Sequence, residues 1–353
     1  MAAITNNSEI PAWRKRYLKR NDEVKTVCIF GGTHGNEKTA FAVADHYLHG
    51  GVESGCHRDT FRTLVEISNP ASVAANSRYV DTDMNRCFLA EDLNNADLDN
   101  TVEHRRAKEL NKLYGPKDST TPKIDYLIDL HNTTANCGIL LLFHPSDTFS
   151  HMIGKYLIEH SGCDIIRCCA WPDSERPNAG TLGRSGMTFE VGPSPWGCVN
   201  TKLMLLTKKL VEMTLDFIEQ HNLSLTKKND ANDENIASTE KLLMYKRVGQ
   251  YDYPRDNETN NKLYNNKARI NMYVHPDIQD QDFKIKLVHG ETKIFLDCNG
   301  KEHATFDFNK MFQVPNANID LNKDELYPFF INEAAYYEKG FGFAVAKKCE
   351  VEF

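Results

Sequence analysis

Residues 24–50 read VKTVCIFGGTHGNEKTAFAVADHYLHG. An apolar strand-like run (24–30) enters a turn holding Gly31, Gly32 and Gly35, and a segment with helical spacing through Phe41, Val43, Ala44 and Tyr47 follows, up to Gly50. A strand, a glycine turn and an amphipathic helix form the repeating unit of α/β folds, and the unit continues down the chain. RTLVEISNP (62–70), IDYLIDLHN (124–132), CGILLLFH (137–144) and SGMTFEVG (185–192) read as strands. VEHRRAKELNKLYG (102–115), MIGKYLIEHSG (152–162) and KLMLLTKKLVEMTLDFIEQHN (202–222) read as helices. This alternation predicts an α/β domain over 1–223, with a mixed or largely parallel sheet flanked by helices. Its ligand site is expected in the crevice at the strand carboxyl ends.

The composition changes at SLTKKNDANDENIASTE (224–240), a polar stretch nearly without large apolar residues and read as a linker. Short alternating segments such as FKIKLVHG, TKIFLDCNG and GFGFAVAKKCEVEF then predict a smaller β-rich domain over 241–353. Charged residues make up 26% of the chain and the formal net charge is −7, so there is no global basic field for nucleic acid. The basic cluster WRKRYLKR (13–20) reads as a solvated helix face or tail. No secretory leader or membrane-length apolar run is present, so the expectation is a cytoplasmic protein. The 10 cysteines include no CxxC pair and read as reduced thiols; vicinal Cys168 and Cys169 are the one pair with redox or soft-metal potential.

Four segments carry chemistry. In THGNE, His34 and Glu37 hang from the mouth of the strand-to-helix turn. A phosphate loop would need GxGxxG or GxxxxGK[ST], and neither fits. His131 follows a strand in DLHN, with Asp129 two residues earlier as a partner able to orient an imidazole. Catalytic zinc takes three ligands from His, Asp and Glu and keeps a fourth position open. Glu190, in FEVGP, sits at a strand end where a carboxylate could take a proton from water. In SRYVDTDMNRCF, Arg78 and Arg86 flank carboxylates and Asn85; an arginine fork suits carboxylates and developing oxyanions. Each segment alone also has a structural reading, as a capped turn, a surface histidine, an edge glutamate or a salt bridge.

Taken together, FGGTHGNE, NPASV, SRYVDTDMNRCF, YGPKDS, DLHNTTANCG, EVGPSPWGCV, YDYPRD, HPDIQDQDF and NEAAYYEKG, in that order, resemble the aspartoacylase family of zinc amidohydrolases. The resemblance implies a zinc-carboxypeptidase-like catalytic domain with one zinc ion held by His34, Glu37 and His131. It implies Glu190 as general base and then acid, and Arg78 on the amide carbonyl. Asn85 and Arg86 would hold the α-carboxylate of an N-acyl amino acid. Tyr336 would reach into the pocket from the C-terminal domain, with Glu333 supporting that wall. The family also suggests a homodimer. N-acetyl-L-aspartate is the leading substrate, ahead of N-acetyl aromatic or other neutral amino acids. A metallocarboxypeptidase and a catalytically inactive binding module are the remaining alternatives. One departure concerns the arginine that recognises the aspartate side chain just upstream of EVGP. Here CCAWPDSERPNAGTLGRSGMTFEVG offers Arg184 or Arg176, neither at a matched position.

Overall fold

The computed structural model describes residues 17–117, 119, 121–171, 177–230, 240–254, 272–315 and 317–353. Arg176 and residues 13–16 of the basic cluster lie outside this set.

The N-terminal part runs β1 (Thr26–Gly31), α1 (Lys38–His49), β2 (Arg62–Ile67), α2 (Pro70–Ala75), α3 (Ala90–Asn94), α4 (Val102–Tyr114), β3 (Tyr126–Asn132), β4 (Gly138–Phe143), α5 (Thr148–His160), β5 (Ile166–Ala170), β6 (Ser185–Gly192) and α6 (Thr201–Asp230). After it come β7 (Lys241–Asp252), β8 (Tyr273–Val274), β9 (Lys293–Leu296), β10 (Glu302–Thr305), β11 (Phe312–Gln313), β12 (Leu326–Phe329), α7 (Ala334–Lys339) and β13 (Phe341–Glu352).

Among the described residues, ten strands form one sheet in the order β12-β13-β7-β5-β4-β6-β3-β1-β2, with β11 also on β7. Strands β2, β1, β3 and β6 are mutually parallel, β4 enters antiparallel to β6, and β5 and β7 run parallel to β4. Every residue of β3 is buried, the pattern of a central strand covered on both faces. Helix α1 buries Thr39, Ala40, Val43, Ala44 and Tyr47, a stripe at the spacing a helix needs to cover a sheet. Of these, Ala40, Val43, Ala44 and Tyr47 join the largest core cluster with Val27, Ile29, Ile128 and Phe189.

Two expectations meet a different outcome in detail. Helix α6 continues to Asp230, seven residues into the stretch read as a linker from 224. Leu and Lys are good helix formers, and a solvated helical turn does not need apolar residues. The C-terminal strands also share the N-terminal sheet: β7 pairs with β5 through Cys169–Tyr245 and Ala170–Lys246, while β8, β9 and β10 make a separate three-stranded sheet. That sharing places side chains of both parts on one surface. Among the described residues, no helix is long and apolar enough to cross a membrane.

Candidate active site

The turn after β1 passes close over α2. Gly32 has φ +69°, and a Cβ on Gly35 would stand 2.0 Å from the Ser72 carbonyl, so both positions require glycine. The turn thereby carries His34 and Glu37, buried at 4% and 3% exposure, to the carboxyl end of the sheet. Strand β3 brings His131, and β6 sets Glu190 directly beside it in register. The strand continues through His131 to Asn132 rather than ending before it, so Asp129 and His131 share a face.

The ligand atoms of His34, Glu37 and His131 lie within 4.8 Å of one another. Glu37 Oε1 is 2.6 Å from His34 Nδ1, and Glu37 Oε2 is 2.9 Å from His131 Nδ1 and accepts from the Asn132 N–H at 3.0 Å. The outer nitrogens face carboxylates: His34 Nε2 lies 3.0 Å from Asp83 Oδ1 and His131 Nε2 lies 3.1 Å from Asp129 Oδ2. With protons on both Nε2 atoms, donated to Asp83 and Asp129, both Nδ1 lone pairs turn toward the Glu37 carboxylate. Only a proton or a cation holds such a set together. Imidazoles anchored by carboxylates on their far nitrogens are the usual arrangement of metal-binding histidines, so the residues present fit a metal ion.

The electrostatics agree with that fit. Burial pushes the Glu37 carboxyl up, but His34 and His131 outweigh it and hold Glu37 well below the usual carboxylate range. Burial presses the His131 imidazole down, and Asp129 and Glu37 reverse it to well above its ordinary value. Glu190 goes the other way: burial pushes it up to about 8, with His131 and Arg78 opposing and Glu37 and Glu333 adding. A carboxyl with such a pKa is able to hold a proton or release it near neutrality.

Arg78 donates to Glu37 Oε1 at 3.3 Å and Asp83 Oδ2 at 3.2 Å. Its buried Nε has no hydrogen-bond partner among the described residues. The segment that bears Arg78 is pinned from α4. Buried Glu103 accepts from the backbone N–H groups of Val80 at 2.7 Å, Asp81 at 3.0 Å and Thr82 at 3.1 Å. Asn85 places Nδ2 3.3 Å from His131 Nε2, and Arg86 lines the same cavity. From the C-terminal part, Glu333 accepts from the Thr134 N–H at 2.8 Å and the Thr134 hydroxyl at 3.1 Å, and also from the Thr133 hydroxyl. Glu333 also caps α7, the helix that carries Tyr336 into the cavity wall.

These groups open onto a cavity of about 530 Å³ that includes His34, Glu37, Arg78, Asn85, Arg86, Glu190 and Tyr336 in its lining. Arg184 is not among them. It lies just before β6, and its guanidinium is paired with Asp22, so the structure does not bring Arg184, expected at the substrate, into the cavity lining. Sequence reasoning missed several residues that the cavity and its supports use. Asp83 and Glu103 were visible only as acidic residues near arginines. Lys339, 2.9 Å from Asp83 Oδ2, follows directly on Tyr336-Tyr337-Glu338 but carried no signal of its own. Trp171 and Arg247 lie far apart in the chain, and no local pattern links them.

A buried His–Glu–His cluster and, beside it in register, a separate carboxyl of raised pKa, the two opening through His34, Glu37 and Glu190 onto one cavity at the carboxyl end of a mixed sheet, are the parts of an amidohydrolase. The description "Succinylglutamate desuccinylase/Aspartoacylase catalytic domain" matches residues 23–218, and "AstE/AspA barrel-sandwich hybrid domain" matches residues 240–348. The chain belongs to the succinylglutamate desuccinylase/aspartoacylase family. It is 34% identical to a probable aspartoacylase of Trichodesmium erythraeum, covering 92% of this chain and 98% of that one. It is equally 34% identical to an N-acyl-aromatic-L-amino acid amidohydrolase (carboxylate-forming) of Danio rerio, over 91% of this chain and 88% of the relative. The crystal structure of murine aminoacylase 3 superposes with a TM-score of 0.77 at 30% identity, covering 94% of this chain and 97% of that one.

Proposed function

We propose that the chain is a zinc-dependent hydrolase that cleaves the amide bond of an N-acyl amino acid, with N-acetyl-L-aspartate as leading substrate. The observation that carries this reading is the convergence of His34, Glu37 and His131 on one point, with Glu190 beside His131 in register and in the wall of the cavity that His34 and Glu37 also line. Zinc, when bound there, supplies Lewis-acid polarisation and lowers the pKa of water.

The chain's own groups supply the rest. Glu190 takes a proton from the attacking water and returns it to the departing nitrogen as the carbon–nitrogen bond breaks and a carbon–oxygen bond forms. Arg78, in the cavity wall, donates to the amide oxygen as negative charge develops on it. Arg86 and Asn85 hold the α-carboxylate, and Tyr336 closes the wall from the C-terminal part. The products are a carboxylate (acetate for an acetyl group) and a free amino acid.

A second reading, an N-acyl aromatic amino acid as substrate, is favoured by Trp171, Phe312, Phe330 and Tyr336 in the lining and by the Danio rerio relative. Elemental analysis together with turnover of N-acetyl amino acids and short peptides tests the proposal. The expected result is about one zinc per chain and hydrolysis of the acyl amino acids. A folded protein that takes up no zinc, or that cleaves only peptides, overturns it.

A further inference from the structure

The cavity does not stop at the reactive groups. It continues along one face of the shared sheet, and register defines that face. Thr188, two residues before Glu190, is paired with Leu142 on β4. Leu142 is paired with Cys169 on β5, and Cys169 with Tyr245 on β7. Ladder partners and residues two apart in a strand share a face, so Trp171 and Arg247 stand on the face that carries Glu190. Both line the cavity. Three strand spacings of about 4.8 Å separate β6 from β7, so Arg247 meets the far end of a bound substrate, not its scissile amide.

Arg247 is 9% exposed, and its guanidinium carbon lies 4.3 Å from the centre of the Trp171 ring. Its Nη2 donates to Gln250 Oε1 at 3.1 Å. A guanidinium stacked by its face keeps its donors in the plane of the fork, where they suit a planar carboxylate. The sequence offers Arg184 or Arg176 for such a cation, upstream of EVGP. The structure turns Arg184 to Asp22 and brings Arg247 to the cavity instead.

Building on the function proposed above, we infer that Arg247, held against Trp171, is a specificity-determining residue that reads a second carboxylate at the far end of the substrate. That carboxylate belongs either to an acidic amino-acid side chain or to a dicarboxylic acyl group, and the same guanidinium serves both. The reaction is then selective for dianionic N-acyl amino acids.

The test compares kcat/KM for N-acetyl-aspartate, N-acetyl-glutamate, N-succinyl-leucine, N-acetyl-leucine and N-acetyl-phenylalanine in the wild-type protein and in Arg247→Met, a variant that keeps length and contact with Trp171. The expected result is a fall of about 30-fold in the ratio of dianionic to monoanionic kcat/KM, expressed mainly in KM. Arg247→Lys recovers part of that ratio. The acetyl and succinyl arms show which end bears the carboxylate. Calorimetric binding of succinate and L-aspartate, against L-phenylalanine, reads the same residue without turnover, and a tenfold selective weakening in Arg247→Met is expected there. An equal loss on all substrates, no change in either ratio, or a wild-type preference for N-acetyl-phenylalanine overturns the inference. If no N-acyl amino acid is hydrolysed but selective dicarboxylate binding persists, the proposed function fails and the reading of Arg247 stands.

Discussion

The two ends of the cavity are built differently. At the reactive end the buried carboxylates have several polar partners: Glu37 contacts His34, His131, Arg78 and the Asn132 N–H, and Asp83 contacts His34, Arg78 and Lys339. At the far end the wall is largely aromatic. Trp171 presents a ring face to Arg247, and Phe312 is 65% exposed at the rim. Buried charges need this kind of mutual satisfaction, because an ion left without partners in a dry interior costs several kcal/mol, on the order of 3–5 when one partner is removed. The reactive end is therefore rigid and intolerant. An aromatic wall satisfies itself by contact area and leaves room to change what it accepts.

The sharpest way to break this contrast is Glu190→Ala. A loss of about a thousandfold in kcat with the metal retained is expected, by single-turnover assay and elemental analysis; activity within tenfold of wild type would mean the reactive end does not depend on this carboxyl. The pH profile sharpens the same point. As a base Glu190 works ionised, and burial pushes its pKa up to about 8 against the opposing pull of His131 and Arg78. Thus kcat/KM rises with pH along the acid limb, and a cation at His34, Glu37 and His131 moves the midpoint below that value. A profile that falls as pH climbs from about 6 to 8 removes Glu190 as the base.

Glu333→Ala ranks next. It removes the acceptor shared by Thr133 and Thr134 and the cap of α7, so about 2 kcal/mol of stability and about 30-fold in kcat/KM are expected to go, measured by urea unfolding and steady-state kinetics. A loss confined to stability would show that α7 supports the wall without shaping the site. Glu103→Gln is milder. An amide keeps the shape but weakens the bonds from Val80, Asp81 and Thr82, for an expected cost of about 1–2 kcal/mol and about fivefold in activity. If this variant matches wild type, the loop holding Arg78 and Asp83 has other anchors. The smallest effect is assigned to Arg184→Ala, within about 0.5 kcal/mol and twofold in kcat/KM, since its partner Asp22 lies outside the cavity. A selective loss on N-acetyl-aspartate in that variant would return the reading of acidic substrates to Arg184.

Much of the reactive end was legible in the sequence. THGNE, DLHN and FEVGP each put a reactive side chain within a few residues of a strand end, where an α/β sheet collects its ligands. Asp129 as partner of His131 was legible too, because two residues in one strand share a face. The supports were less so. Asp83 and Glu103 matter through contacts that skip 49 positions to His34 and 23 to Val80. The far end was not legible at all. Trp171 and Arg247 meet only because β7 lies beside β5 in register.

By itself the sequence determined the strands and helices, the glycine turn that presents His34 and Glu37, and the residue types of a cluster that could hold a metal. Those properties follow from local periodicity and from backbone angles that neighbours impose. The tertiary structure alone decided which nitrogen of each histidine faces Glu37, that Arg184 turns to Asp22, and that Arg247 reaches the cavity. Each of these depends on the order of strands in the sheet, where residues distant in the chain become neighbours and no local pattern records the pairing.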